Sequence, residues 1–222
     1  MADAWTLVFD GWDPADEGRR EALCTLGNGR FATRGAAPEF AAGGVHRPGT
    51  YAAGCYNRLD DEIDGRVVEN ESVVNLPNWL DLRFAVDDGD WVDLSQVRVL
   101  LHRTELDLRR GVLGRTVRFV DSGGRTTSVQ QRRFVHMAQP FLAGLDTVFT
   151  AEDWTGRLRV ASGIDGSVTN GGSGATGAWR TSTSRSCAVR NRTRGRSSWS
   201  PARPSPSCGS PSVRARRCAG PR

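Results

Sequence analysis

The sequence predicts an all-β protein: an antiparallel β-sandwich, incomplete at its C-terminal side and followed by a disordered tail. Apolar and polar residues alternate over several short runs, the pattern of strands with one buried face. Turn dipeptides such as Asp88-Gly89 and Gly123-Gly124 separate these runs. No amphipathic stretch is longer than about two helical turns, so a helical layer is not expected.

The predicted strands follow one another between residues 79 and 164. In the first of them, Leu80, Leu82, Phe84 and Val86 point to one face while the residues between them point to the other. Regular spacing of such strands, with turns between them, is typical of a sandwich. The predicted strands are 79–86, 91–101, 112–120, 125–135, 143–150 and 157–164.

Charge divides the chain at Asn170. Residues 1–170 hold all 25 acidic residues and 19 arginines, a formal charge of −6. Residues 171–222 hold 11 arginines and no acidic residue, and they lack Leu, Ile, Phe, Met and Tyr. Such a segment buries too little apolar surface to offset its ordering entropy. We therefore predict a domain over 1–170 and a disordered tail over 171–222.

Composition excludes several classes of protein. No run approaches the 18 or more apolar residues of a membrane span, so no membrane partner is expected. The first residues lack the basic-then-apolar order of a signal peptide, which favours a cytoplasmic location. The cysteines are scattered without a CxxC pair, so neither a disulfide framework nor a zinc site is predicted, and no cofactor is expected.

The acidic run Asp60–Gly65 is the nearest match to a metal-binding motif. Counted from Asp60, a calcium loop would place acidic ligands at Glu62, Asp64 and Glu71, with Gly65 at its sharp turn. The Glu at the third position is off-pattern, and nothing helical flanks the loop. A solvated hairpin turn is the favoured interpretation, and no metal site is predicted.

Other candidate motifs are also weaker than their structural alternatives. The segment Leu26–Phe31 is rich in glycine but lacks the lysine and the strand–helix context of a phosphate loop, so a tight turn is favoured. The three histidines lack metal-ligand spacing. Tryptophans can stack on sugar rings, although at strand ends they more often pack in the core. The tryptophans in question are Trp5, Trp12, Trp79, Trp91 and Trp154.

Several segments of residues 5–170 resemble glycoside hydrolase family 65, which includes maltose, trehalose and kojibiose phosphorylases and acid trehalases. The resemblance is carried in order along residues 5–170. Two positions depart from the family pattern: Arg47 replaces an aromatic residue, and Phe141 stands where histidine is expected. The matching segments are 21–29, 31–35, 38–39, 48–58, 74–79, 106–113, 131–135 and 165–166.

The resemblance implies the N-terminal accessory β-sandwich of an enzyme whose catalytic glutamate lies in a separate (α/α)6 barrel. No catalytic residue is therefore assigned in this chain, which is expected to be inactive alone. The full-length parent is expected to act on an α-linked glucose disaccharide, with phosphate or water as acceptor, and to be a homodimer. Polar residues of the Gly-rich segment, namely Asn28, Arg34 and Glu39, are the candidates for bordering the active site or an interface. Buried hydrogen bonding to loop backbone is their alternative role.

The tail has two possible origins. After Asp165–Asn170 the resemblance ends, where the family commonly continues with G-V-x-R-Y-R-x-L-x-x-x-H-L. A reading frame shifted by one base can encode V-R-R-Y-R-x-L-x-x-x-H-L, in register with that pattern. We therefore predict a frameshift near residues 170–172. The alternative is a basic arm that binds nucleic acid, favoured by the charge of 171–222 but unsupported by any docking motif, so no nucleic-acid partner is predicted. A stand-alone carbohydrate-binding sandwich is the other alternative.

Overall fold

The computed structural model describes residues 4–168 and 212–219, which form antiparallel sheets and one short helix. Alternation of apolar residues produces most of these strands, as predicted, and the all-β fold class is confirmed. The elements are β1 Thr6–Asp10, α1 Glu17–Leu23, β2 Leu26–Gly27, β3 Phe31–Thr33, β4 Thr50–Ala52, β5 Tyr56–Ile63, β6 Arg66–Val73, β7 Leu82–Val86, β8 Arg98–Asp107, β9 Val112–Val120, β10 Thr126–Val135, β11 Ala143–Ala151, β12 Leu158–Ser162 and β13 Ser212–Ala219.

The largest sheet has six strands in the order β1-β8-β9-β10-β11-β13. Neighbouring strands are antiparallel, and in β9 every second residue is buried. Leu113, Val117 and Phe119 therefore point from this strand into the core. Burial of alternate residues on one face of the sheet fixes its register, because a slip of one residue would expose this apolar set.

A second layer, the β7–β12 pair, covers the buried face of the large sheet. The Phe84 ring on β7 lies 6.1 Å from the Phe119 ring on β9 and 4.8 Å from the Phe149 ring on β11. Tilted aromatic rings at these separations pack favourably. The two layers meet at Phe84, which gives the fold its sandwich character.

The predicted strand 91–101 is the main error of boundary. The observed strand β8 begins at Arg98 and continues to Asp107. Residues before it form a turn in which the Asp93 carboxylate accepts hydrogen bonds from the Ser95 amide and hydroxyl. Side-chain capping of this kind competes with strand pairing, which alternation alone does not reveal.

Strand β13 lies inside the predicted disordered tail. Residues 212–219 contain neither Pro nor Gly, and they pair antiparallel with β11, from Ser212 opposite Thr150 to Ala219 opposite Ala143. An edge strand offers unpaired amides and carbonyls to any chain that can extend beside it. These eight residues of the predicted tail form a strand, and the division of the chain at residue 170 stays a prediction. The rest of the tail, 171–211 and 220–222, lies outside the described residues.

The acidic run Asp60–Gly65 forms part of a hairpin between β5 and β6. Asp64 and Gly65 have φ values of 51° and 73°, as a two-residue hairpin turn requires. The predicted hairpin turn is confirmed, and strands rather than helices flank it. In the described part of the chain, no helix is long and apolar enough to cross a membrane.

Candidate functional site

A buried polar network crosses the inner face of the six-stranded sheet. The Arg115 Nη1 on β9 donates to the Glu39 Oε2 at 2.7 Å and to the Gln131 Oε1 at 3.0 Å. The Gln131 Nε2 on β10 donates to the Glu39 Oε1 at 2.6 Å. The Glu39 and Arg115 side chains are only 2% and 8% exposed. Each of the two carboxylate oxygens therefore accepts a bond from the sheet, as a buried charge requires.

His102 extends this network onto β8. Its Nε2 accepts a hydrogen bond from the Arg115 Nε at 3.4 Å. Burial, aided by the nearby positive charge of Arg115, lowers the pKa of His102 to about 4. The imidazole is therefore neutral at pH 7, which suits it to accept from a guanidinium.

A second buried carboxylate, Glu21 on α1, holds the loop that precedes β4. Its Oε1 lies 2.9 Å from the His46 Nδ1, and its Oε2 accepts from the Arg47 amide at 2.9 Å. The Arg34 Nη2 lies 3.9 Å from the same Oε2. One carboxylate thus joins the helix to both ends of the segment 34–47.

Arg133 anchors the beginning of that segment from β10. Its Nη1 and Nη2 donate to the carbonyls of Arg34 and Ala36, each at 2.9 Å. Burial, with the nearby Arg115, lowers the pKa of Arg133 to about 10, so the guanidinium remains charged at pH 7. Two buried arginines and two buried carboxylates therefore fasten 34–47 onto the sheet.

The three candidate residues from the sequence occupy different places. Glu39 lies in the network with Arg115 and Gln131. The Arg34 Nη2 donates to the Gly18 carbonyl at 3.0 Å. Asn28, at the turn between β2 and β3, donates to the carbonyls of His136 and Pro140 at 2.7 and 3.1 Å. Asn28 makes the hydrogen bonds to loop backbone that were its alternative role, whereas Arg34 bonds a carbonyl of α1 and Glu39 bonds side chains of the sheet. For all three, a position beside an active site or interface stays a prediction.

The network residues Arg115, Gln131 and Arg133 were missed by the sequence reasoning. They occupy inward positions of strands whose other inward residues are mostly apolar. A polar residue at an inward strand position, where apolar residues are expected, is the sequence signal that indicates such a network.

The carboxylates of this network already have partners, which limits what the arrangement does chemically. Glu39 and Glu21 are bound by cations, an imidazole or backbone amides, so neither is a free general acid or base. Among the described residues, no group of three or more His, Cys, Asp or Glu side chains converges to hold a metal ion. The observed role of these carboxylates is to hold the segment 34–47 in place.

The tryptophans divide into buried and exposed residues. Trp79 is buried in the core, and the Trp12 ring stacks on Phe40. Trp91 is exposed, with the guanidinium carbons of Arg83 and Arg159 at 5.6 and 5.3 Å from its ring centroid. Cation–π contact of this kind occupies part of the ring surface that a sugar would need.

The layered fold and its loop-fixing network define an all-β domain of sandwich type. The sequence model described as "Glycosyl hydrolase family 65, N-terminal domain" matches residues 7–207. The chain belongs to this family. The family match extends beyond residue 170, where the acidic residues end. The alignment with a mycobacterial relative is shorter and covers 168 residues.

Relatives of the chain include named phosphorylases. An uncharacterized glycosyl hydrolase of Mycobacterium tuberculosis is 51% identical over 76% of this chain and 13% of its own length. The kojibiose phosphorylase of Caldanaerobacter subterraneus is 30% identical over 77% of this chain and 21% of its own. A solved structure of a putative kojibiose phosphorylase from the human microbiome superposes with a TM-score of 0.68 at 22% identity, covering 76% of this chain and 22% of that one. This chain thus spans about a fifth or less of these relatives.

Proposed function

We propose that residues 1–170 are the non-catalytic N-terminal domain of a larger enzyme that phosphorolyses or hydrolyses an α-glucosidic disaccharide. Two observations carry the proposal: the family match, and the small part of each relative that aligns with this chain. That part is between 13% and 22% of the relative's own length. A region this small relative to the whole enzyme suits an accessory role.

The substrate class follows from the names of the relatives. They include kojibiose phosphorylases, an α,α-trehalose phosphorylase of Thermoanaerobacter brockii and a maltose phosphorylase of Bacillus subtilis. Inorganic phosphate is the co-substrate of phosphorylases. A cytoplasmic, homodimeric parent enzyme completes the proposal.

The buried network supports an accessory role because it fixes loops. Glu39 and Arg115 hold segment 34–47 on the sheet, and Asn28 holds the β10–β11 turn. Loops fixed by buried charged hydrogen bonds present a constant surface to a neighbouring domain. The domain is thereby suited to support an active site formed elsewhere.

Activity measurements on the full 222-residue chain test the proposal. Incubation with kojibiose, trehalose or maltose, with and without phosphate, is expected to release no glucose or glucose 1-phosphate above a buffer blank. Turnover by the purified chain would overturn the accessory assignment. Co-expression with the M. tuberculosis relative lacking its own matched 168 residues is expected to give a complex that purifies together. Failure of the two to associate would also contradict it.

A stand-alone carbohydrate-binding protein is the second candidate, favoured by the exposure of Trp5 and Trp91. Calorimetric titration with glucose, trehalose, maltose and kojibiose separates it from the accessory domain. Heat of binding that disappears in Trp91→Ala supports a sugar binder, whereas the accessory domain alone is expected to give none.

A nucleic-acid-binding arm predicts salt-dependent DNA binding by 1–222 that 1–170 lacks.

A further inference from the structure

Three features lie side by side at one end of the six-stranded sheet. The Ala53 amide, between β4 and β5, donates to the Arg30 carbonyl at 2.9 Å. In the same turn as Arg30, Asn28 donates to the carbonyls of His136 and Pro140 in the β10–β11 turn. The base of the β5–β6 hairpin, the turn at 28–30 and the turn at 136–142 are therefore neighbours.

The β10–β11 turn presents apolar side chains in a fixed position. Met137 is 76% exposed and Phe141 is 59% exposed. The His136 Nδ1 accepts hydrogen bonds from the amides of Ala138 and Gln139 at 3.1 and 2.9 Å, and Asn28 binds both ends of the turn. Because these hydrogen bonds hold the turn, it does not rearrange to bury its apolar side chains. Apolar side chains that stay exposed in a fixed position are characteristic of an interaction surface.

The β5–β6 hairpin stands apart from the rest of the described sheet structure. Its two strands pair only with each other, and an isolated pair is marginally stable in water. Val67, near its tip, is 73% exposed. A hairpin of this kind gains stability when another surface covers it.

The hairpin is strongly acidic. Residues 56–73 contain six acidic residues and two arginines, a formal charge of −4. Asp60 and Glu69 are directly opposite each other in the strand pairing, where like charges destabilise. Arg58 contacts Glu69 and Glu71 at 3.5 and 3.3 Å, but among the described side chains no cation lies within ion-pair distance of Asp60. The unbalanced charge favours a basic partner surface.

A second copy of residues 1–170 is poorly suited to supply that surface. Outside the hairpin, residues 1–170 still carry a net charge of −2. The relatives, in contrast, extend far beyond the matched region, which is only 13% of the mycobacterial relative and 21% of the kojibiose phosphorylase. The polypeptide beyond the N-terminal domain is the partner that these proportions favour.

We infer that the β5–β6 hairpin and the β10–β11 turn together form the docking face of the domain for the remainder of a family 65 enzyme. The partner surface places cations against Asp60 and Glu69 and apolar side chains against Met137 and Phe141. This inference rests on the proposed function, because it assumes that the domain is part of a larger enzyme. Asn28 then acts by positioning the turn.

The experiment measures binding of the full 222-residue chain to the M. tuberculosis relative from which the matched 168 residues have been removed. Met137→Ser/Phe141→Ser is expected to weaken binding about tenfold or more by removing apolar contacts. Asp60→Arg/Glu69→Arg is expected to weaken it about tenfold and to remove its dependence on salt. Circular dichroism of each variant establishes that the fold is retained.

Matched controls lie at the opposite end of the sheet. Leu100→Ser/Leu101→Ser removes two exposed apolar side chains at the start of β8. Asp88→Arg/Asp90→Arg makes the same change of charge as the hairpin variant, on the turn after β7. Both controls are expected to bind within about twofold of the unaltered chain.

The outcomes separate the two hypotheses. If the unaltered chain does not bind the truncated relative, the proposed accessory function fails. If it binds and both docking-face variants bind equally well, the accessory function stands and the docking face is wrong. Concentration-dependent dimerisation of the chain that the docking-face variants abolish would instead assign this face to a second copy and overturn the inference.

Discussion

Glu39 and Arg115 form a buried ion pair, with 2.7 Å between Oε2 and Nη1, that joins a loop to the centre of the six-stranded sheet. They are 76 residues apart in the sequence. Gln131 binds the other carboxylate oxygen, so the loop residue is held by two neighbouring strands. The pair therefore determines where the segment 34–47 lies relative to the sheet.

Removal of Glu39 is predicted to be strongly destabilising. Glu39→Ala leaves the Arg115 charge buried without its carboxylate, which typically costs about 3–5 kcal/mol of the free energy of unfolding. Glu39→Gln keeps one acceptor oxygen in place and is expected to cost less. Asp88→Ala, which removes an exposed ion pair with Arg157, is the control and should change stability by less than about 1 kcal/mol. Urea unfolding followed by tryptophan fluorescence measures all three, and equal losses for Glu39→Ala and Asp88→Ala would contradict the prediction.

Stability is predicted to fall as the pH decreases from about 6.5 to about 4, with His102 as one cause. Burial holds the pKa of His102 at about 4 in the folded chain, against 6.5 for the free side chain. Between these values the unfolded chain binds a proton that the folded chain does not, so the free energy of unfolding rises with pH. Above pH 6.5 this contribution is constant.

His102→Gln isolates that contribution. Glutamine retains an acceptor for the Arg115 guanidinium but does not titrate, so the slope of unfolding free energy between pH 4.5 and 6.5 is expected to decrease. His136→Gln, at the exposed β10–β11 turn, is the control for loss of a histidine. Urea midpoints at intervals of half a pH unit provide the measurement. An unchanged slope in His102→Gln would show that other groups cause the pH dependence.

Gly35 is predicted to tolerate no side chain. A Cβ at this position would lie 2.5 Å from the Cys24 Cβ and 3.1 Å from the carbonyl oxygens of Cys24 and Glu21. Gly35→Ala therefore forces the loop away from α1, at a cost of about 1–3 kcal/mol. Gly43→Ala is the matched control, because nothing lies within 4 Å of its Cβ position. Thermal unfolding midpoints compare the two, and equal midpoints would refute the close packing.

The alternation of apolar residues predicted the main sheet because those strands bury one face. The predicted 112–120 coincides with β9, and 125–135 and 143–150 differ from β10 and β11 by a single residue at one end. The β5–β6 strands were not predicted, although the turn at Asp64-Gly65 was, because acidic residues occupy both faces of that hairpin. A free-standing hairpin has no buried face to leave an apolar pattern.

The network was beyond local patterns for a different reason. Glu39 belongs to a loop, and its partners Arg115 and Gln131 belong to strands 76 and 92 residues later in the chain. Only the fold brings these residues together. The polar residues on inward strand positions indicated that partners exist, but not which residues they are.

The nucleotide sequence past codon 170 tests the origin of the tail. A frame shifted by one base near residues 170–172 is expected to encode V-R-R-Y-R-x-L-x-x-x-H-L, in register with the family pattern, because the amino acids from Gly172 to Ser184 permit the required codons. If the shifted frame encodes an unrelated sequence, the frameshift hypothesis is wrong.

Phe84 is predicted to be the side chain on which the two layers most depend. It is completely buried between Phe119 and Phe149, the only described residues whose rings pair with it. Phe84→Ala removes contacts with two strands of the large sheet and leaves a cavity, at an expected cost of about 3–5 kcal/mol. Phe84→Leu retains most of the volume and should cost less than half as much. Phe141→Ala, on the exposed β10–β11 turn, is the control, with an expected loss below about 1 kcal/mol. Because separation of the layers would unfold both, chemical denaturation of Phe84→Ala is expected to remain a single transition at lower urea concentration. Two separate transitions would instead show that the β7–β12 layer unfolds independently of the six-stranded sheet.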